Sequence, residues 1–261
     1  MDPNFKELSL ASEAGPFDII GDVHGCYPEL LALLSKLGWR DLEGYTASTL
    51  RYNSAGNTRK AVFLGDLTDR GPSSAGVLRL VMGMAVAGQA ICLRGNHDDK
   101  LARKLAGHKV RVGNGLETTL SELSAEPPEF VDRVRDFLQG LVSYYVLDEG
   151  RLVVAHAGIK EDMIGRSDDK IQAFTLYGDT TGEMDALGLP VRRDWAAGYH
   201  GDAIVVYGHT PVIEPGWVHN TINIDTGCVF GGKLTALRYP EREIVSVPAG
   251  QVYYRREGFG A

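Results

Sequence analysis

Gly65-Asp66-Leu67-Thr68-Asp69-Arg70-Gly71 follows the apolar run Ala61-Val62-Phe63-Leu64 and precedes a helix-periodic stretch from Ser73 to Ala87. An apolar run of that length, closed by polar residues and followed by helical spacing, reads as buried strand, loaded turn and helix. The turn sets two carboxylates three residues apart, puts an arginine directly after the second, and has a glycine at each end. A carboxylate can bridge two metal ions through its two oxygens, and a guanidinium fork beside it matches phosphate oxygens. Those are the requirements of a phosphate-cleaving site.

The same grammar recurs on either side. Phe17 to Ile20 is a short apolar run that ends at Gly21-Asp22-Val23-His24-Gly25, and Leu30, Leu33, Leu34 and Leu37 then mark a helix over Pro28 to Leu37. Ala90 to Leu93 ends at Arg94-Gly95-Asn96-His97-Asp98. Three strands alternating with helices predict an α/β sheet whose early strands are parallel, with ligands gathered at their carboxyl ends. Asp41 to Arg59 reads as a loop or small strand insert. Residues 98–141 read as a helical insert broken at Gly113-Asn114-Gly115 and Pro127-Pro128.

Strand character returns in Leu152 to Ala155, Ala203 to Tyr207, Thr221 to Ile224, Lys233 to Tyr239 and Glu243 to Val247. The short connections there predict a second, more antiparallel sheet. The expected architecture is two stacked mixed β-sheets flanked by helices, an αββα sandwich. It would occupy residues 17–250 as one domain, after a polar segment 1–16 and before a tail 251–261.

The 261 residues are 44% hydrophobic, enough for a large core, and the net charge of -7 excludes a global field drawing the chain onto nucleic acid or anionic membrane. Cys26, Cys92 and Cys228 are odd in number and widely spaced, which fits buried thiols in a reducing compartment rather than a disulfide framework or thiolate zinc site. Residues 1–16 lack an apolar signal core, and the most apolar window, 77–93, carries Arg79, Gly83, Gly88 and Gln89. A cytoplasmic protein without a membrane span is expected.

Asp22 and His24, one residue apart on an extended exit, point to one side and can chelate a single ion together. Asp66 offers one oxygen to each of two ions, and Asn96, His156 (in His156-Ala157-Gly158) and His209 (in Gly208-His209-Thr210) can complete the second ion's shell. Mixed oxygen and imidazole donors without thiolate suit manganese above all, with nickel, iron, zinc or cobalt as alternatives, and not calcium. Two such ions, held about 3.5–4 Å apart, would generate a bridging hydroxide for in-line attack on phosphorus. His97 is the expected general acid, and Asp69 would hold its other ring nitrogen. Asp69-Arg70-Gly71-Pro72 is also good turn chemistry, so Asp69 has a plain structural reading as well. Arg70 is placed to grip two phosphoryl oxygens, and Asn96 faces the same substrate.

These five motifs, in this order over residues 18–228, resemble the phosphoprotein-phosphatase branch of the calcineurin-like metallophosphoesterase superfamily. The resemblance implies one ion on Asp22, His24 and Asp66, a second on Asp66, Asn96, His156 and His209, an Asp69–His97 acid pair and an Arg70 clamp. The stretches Tyr177-Gly178-Asp179-Thr180-Thr181-Gly182-Glu183, Arg192-Arg193-Asp194-Trp195-Ala196 and Asn223-Ile224-Asp225-Thr226-Gly227-Cys228 look like the phosphatase domain of bacterial polynucleotide kinase-phosphatase and the small PrpE-type bacterial phosphatases. That likeness implies a catalytic role for Asp225. No kinase P-loop appears in the sequence.

Arg192 or Arg193 would add a second phosphate grip, with Arg193 preferred, or both simply sit on the surface. Lys100, Arg103, Lys104, His108, Lys109 and Arg111 form a basic stretch that either lines the mouth of the site or is a solvated face above Leu101 and Leu105. The expected enzyme is a binuclear-metal phosphomonoesterase of serine/threonine-phosphatase type with some phosphodiesterase activity. Its substrate would be a phosphoprotein, a nucleotide or a nucleic-acid end, without stable nucleic-acid binding. A dinucleoside polyphosphate hydrolase and a non-catalytic metal scaffold are the alternatives.

Overall fold

The computed structural model describes residues 9–10, 12–40, 59–185 and 190–256. The insert expected at 41–59 therefore lies, except for Arg59, outside the described residues. In chain order the first half gives β1 (Ser9–Leu10), β2 (Phe17–Ile20), α1 (Tyr27–Leu37), β3 (Lys60–Phe63), α2 (Ser74–Val86), β4 (Ala90–Cys92), α3 (Asn96–Leu105), α4 (Leu116–Ser124) and α5 (Pro128–Gln139). The second gives β5 (Tyr144–Leu147), β6 (Leu152–Ala155), α6 (Asp169–Tyr177), β7 (Thr180–Met184), β8 (Pro190–Arg192), β9 (Ile204–Tyr207), β10 (Trp217–Val218), β11 (Thr221–Asn223), β12 (Lys233–Tyr239) and β13 (Glu243–Pro248).

Two sheets stack between helices. One has the order β13-β12-β2-β3-β4 and the other β1-β5-β6-β9-β11-β10, while β7 and β8 form a separate hairpin. β2, β3 and β4 run parallel, Phe17 opposite Lys60 and Ala61 opposite Ala90. The later strands depart from expectation in two ways. Lys233–Tyr239 and Glu243–Pro248 extend the first sheet, antiparallel beside β2. The second sheet is parallel at its centre, through β6, β9 and β11. The residues of β6 and β11 are buried throughout, as central parallel strands covered on both faces must be.

The apolar side chains divide by strand alternation. Phe17, Ile19, Val62 and Leu64 face Leu152, Val154, Val206 and Ile222 between the sheets. Ile20, Ala61 and Phe63 point outward beneath Leu30, Leu34, Leu78 and Val81 of α1 and α2. Val153, Ala155 and Val205 point out the other side beneath Ile171 of α6. Asp18 breaks the apolar run of β2 and is fully buried. It is matched there by Trp39 Nε1 at 3.0 Å and by the guanidiniums of Arg59 and Arg238, each at 3.3 Å. Cys26, Cys92 and Cys228 are buried free thiols.

The registers fix the two ends of the sandwich. Tyr239 pairs with Phe17, at the start of β2 and far from the Asp22 exit. There its hydroxyl donates to Asp148 Oδ2, just past the end of β5 in the opposite sheet, and Arg151 grips the same carboxylate. The other end carries the motifs. No helix among the described residues is long and apolar enough to cross a membrane.

Candidate active site

Five strand exits meet at that end: β2 delivers Asp22 and His24, β3 Asp66, β4 Asn96 and His97, β6 His156, and β9 His209. The backbone crowds around the central carboxylate. A Cβ on Gly95 would lie 2.1 Å from Asp66 N and 2.2 Å from Asp66 Oδ1, so only glycine lets the third exit pass. A Cβ on Gly208 would lie 2.2 Å from Asp22 Oδ1. His24, Asp66, Asp69, Arg70 and His209 all hold φ between 45° and 76°, the left-handed region that costs a non-glycine residue about 1–2 kcal/mol. Strain is concentrated on the residues that meet.

Each imidazole is oriented by a backbone carbonyl or a cation. His24 Nδ1 donates to Thr68 O at 2.9 Å, which leaves Nε2 facing Asp66 Oδ2 at 3.5 Å. His156 Nδ1 donates to Leu64 O at 3.0 Å, and its Nε2 lies 3.5 Å from Asp66 Oδ1, 3.2 Å from Asn96 Oδ1 and 3.1 Å from His209 Nδ1. The His209 backbone N–H donates to both oxygens of Asp22, at 3.1 and 3.3 Å. Burial pushes His24, His156 and His209 below the ordinary histidine value, so their ring lone pairs are free of protons near neutral pH.

The carboxylates tell the complementary story. Burial, then Asp225 and Asp66, drive Asp22 well above its usual value, and burial pushes Asp225 up to about 6. Burial acts upward on Asp66 too, but the four surrounding imidazoles, once acid charges them, outweigh it and hold Asp66 low. Asp66 Oδ2 faces one nitrogen set and Oδ1 the other. His24, Asp66 and His97 form one compact group of donor atoms, and Asp66, His156 and His209 a second. The chain itself sets cations on two of these lone pairs, Arg70 Nη1 at 2.8 Å from His24 Nε2 and Arg192 Nη2 at 2.9 Å from His209 Nε2. Crowded carboxylates, proton-free imidazoles and an absence of thiolate fit two divalent cations flanking Asp66.

His97 is held differently. Its Nδ1 donates to Asp69 Oδ2 at 2.6 Å, while Asp69 Oδ1 accepts from Thr119 Oγ1 at 2.7 Å. The His97 backbone N–H donates to Asp66 Oδ1 at 2.9 Å, tying the His97–Asp69 pair to the central carboxylate. Asp98 sits beneath, accepting from Leu67 N and Gly95 N at 3.0 and 3.1 Å and so fixing both motif turns. A cavity of about 610 Å³ opens above these groups. Arg70, Arg192, Tyr177, Phe230, Tyr254 and Arg256 form its walls. The Arg70 Nε is buried without a hydrogen-bond partner among the described residues, a donor available to an anion.

Residues 15–213 match the family model for calcineurin-like phosphoesterases. The chain belongs to that family. Calcineurin-like phosphoesterases are metal-dependent hydrolases, and the two-sheet architecture and paired donor sets described above are those of a metallophosphoesterase. The chain is 49% identical over 244 residues to the bis(5'-nucleosyl)-tetraphosphatase PrpE [asymmetrical] of Anoxybacillus flavithermus, covering 91% of this chain and 96% of the relative. It is 52% identical to the PrpE of the same description from Geobacillus thermodenitrificans, covering 89% and 94%. A solved putative diadenosine tetraphosphatase superposes with a TM-score of 0.64 at 25% identity, covering 93% of this chain and 97% of that one. A Saccharomyces cerevisiae serine/threonine phosphatase superposes with a TM-score of 0.61 at 14% identity, a likeness of fold.

Asp22, His24, Asp66, Asn96, His97, His156, His209 and Arg70 all converge, and Asp69 reaches them through His97. Asp225 lines the cavity as well. Arg193, the preferred second grip, does not. Its guanidinium turns to Asp179 Oδ1 at 3.2 Å, beside Lys160, outside the site. Arg192 lines the cavity instead, because neighbours at the end of β8 face opposite ways. Thr119, Tyr177 and Arg256 were not singled out from sequence. Tyr177 opens one of the quoted family-like stretches, but Thr119 acts from a helix fifty residues away and carries no local signal.

Proposed function

We propose that this phosphoesterase hydrolyses dinucleoside polyphosphates, cutting a bis(5'-nucleosyl) tetraphosphate asymmetrically into a nucleoside triphosphate and a nucleoside monophosphate. One observation carries the reading: tetraphosphatases about half identical to this chain match it across nine-tenths of both sequences. Asp22, His24 and Asp66 would hold one divalent ion, manganese by preference, and Asp66, Asn96, His156 and His209 a second. Bound there, such ions would supply a water of lowered pKa and offset negative charge on the phosphoryl oxygens.

The chain's own residues do the rest. Arg70, beside His24, and Arg192, beside His209, both line the cavity and orient the reacting phosphoryl group by forked hydrogen bonds. His97 presents Nε2 as proton donor while Asp69, fixed by Thr119, keeps Nδ1 protonated. Asp225 adds a carboxylate at the cavity floor that orders the Gly227 turn through its backbone N–H at 3.0 Å. The His97–Asp69 pair also supports a second reading, phosphomonoester hydrolysis, because an alkoxide leaving group needs a proton and a polyphosphate leaving group does not.

The test is product analysis with manganese and diadenosine tetraphosphate. ATP and AMP in equal amounts are expected. Two ADP would overturn the asymmetric cut, and turnover of aryl monoesters without any of the tetraphosphate would leave the monoesterase reading in its place. No hydrolysis of either under any of the candidate metals would return the chain to a binding scaffold.

A further inference from the structure

Asn96 and Tyr177 line the active-site cavity and also a second hollow of about 310 Å³, walled by Lys100, Arg103, Lys109 and Arg111. The two spaces thus share a wall. Asp99 is the one carboxylate of the hollow, and Arg94 at 3.9 Å already shares it with Arg103 at 3.8 Å. Lys100 Nζ donates to Gly113 O at 2.8 Å, which ties the loop after α3 back against the helix. That loop carries Lys109 and Arg111, both exposed and without an ion pair among the described residues. On a chain of net charge -7, uncompensated cations opening beside the reacting centre make a local positive patch that attracts an anion.

The reacting phosphoryl group has Arg70 and Arg192 in the main cavity, so the hollow is surplus to a monoester. We propose that it is the subsite for the distal phosphates of a polyphosphate chain whose reacting phosphorus lies over Asp66. This rests on the dinucleoside polyphosphate reading and adds to it. The chain of phosphates passes between Asn96 and Tyr177, and Lys109 and Arg111 take its far end. Consecutive phosphates without intervening sugars suit a hollow this small better than a nucleic-acid backbone does.

The test is the double variant Lys109→Ala/Arg111→Ala, whose exposed sites leave the fold intact. Calorimetry with inorganic tripolyphosphate on the full chain without added metal avoids chelation by the probe. Affinity should fall about tenfold for two exposed charge contacts, with a shallower salt dependence. With manganese, KM for diadenosine tetraphosphate should rise by a similar factor at unchanged kcat, while kcat/KM for p-nitrophenyl phosphate, too short to reach, stays within twofold. Equal tripolyphosphate affinity in both proteins, or equal losses on both substrates, would overturn the subsite. Tighter binding of a short single-stranded oligonucleotide through the same two residues would overturn it in favour of nucleic acid. If the tetraphosphate is not cleaved yet tripolyphosphate binding still falls in the variant, the substrate reading fails and the subsite stands. Wild-type KM for a cleaved tetraphosphate in the variant is the reverse case.

Discussion

At the scale of single residues, the two oxygens of Asp66 face different imidazole sets, so one substitution should undo both. Asp66→Asn is expected to lower turnover by more than about a hundredfold, the upper end of what partners outside the ligand shell cost. It should also release metal from both positions, measured by elemental analysis of the purified variant. Retained metal with retained rate would refute the bridging role. His97 separates substrates rather than ions. His97→Ala should slow an alkyl phosphate by about 10²–10⁴-fold and leave diadenosine tetraphosphate much less affected, since its leaving group departs without a proton. Equal losses would show that His97 serves position and not proton transfer. The residues of both tests are visible in the sequence by type and order. What the sequence hides is that His24, Asp66 and His209 reach their places through left-handed backbone, where a reader expects glycine or asparagine.

Among elements, α4 does more than cover the sheet. Glu122 accepts from the backbone N–H groups of Ser74 and Ala75 at 3.1 and 2.9 Å and so caps α2 from outside. Ser74 Oγ in turn accepts from Asp69 N at 3.0 Å and meets Thr119 Oγ1 at 2.9 Å. The helix stretch 116–124 therefore steadies the Asp69–His97 pair. Glu122→Ala should cost about 1–2 kcal/mol, a fall in Tm of about 2–8 °C for a chain of this size, read by thermal denaturation. A loss of rate larger on alkyl than on anhydride substrates should accompany it; an unchanged Tm would show that water replaces the cap. Strands that end in motifs, such as β2, β3 and β4, were legible because length, apolarity and polar exit agree. The sheet joined by β12 was not, because its pairing with β2 is chosen by register across more than two hundred residues. Arg192 and Arg193 were indistinguishable for a similar reason: which of two neighbours faces the cavity depends on how the β7–β8 hairpin lies.

Over the whole molecule, the sheets are joined at both ends by polar groups and between them by apolar packing. At the end remote from the cavity, Asp148 is held below the ordinary carboxylate value by its Arg151 hydrogen bonds, with Tyr239 adding to the effect. An unfolded aspartate titrates near 3.9, so between that value and the lower folded one the unfolded chain binds more protons. The stability from this contact is fully present above about pH 5 and is lost as pH falls through the folded value. Tyr239→Phe should lower Tm at pH 7, and the gap to wild type should begin to narrow as pH falls below about 4 and close only below the lowered folded value of Asp148, where both have lost the charged acceptor. A gap independent of pH would assign the effect to packing alone. At the cavity end Asp22 of one sheet accepts from His209 N of the other and Asp66 Oδ1 lies 3.5 Å from His156 Nε2, and two ions held among these groups would complete the join. A chelator should then behave as a one-sided loosening agent: amide hydrogen exchange would quicken along the Gly21–Gly25 and Gly208–Thr210 turns while the Phe17–Tyr239 rim keeps its protection, like a book whose cover falls open with its spine still sewn.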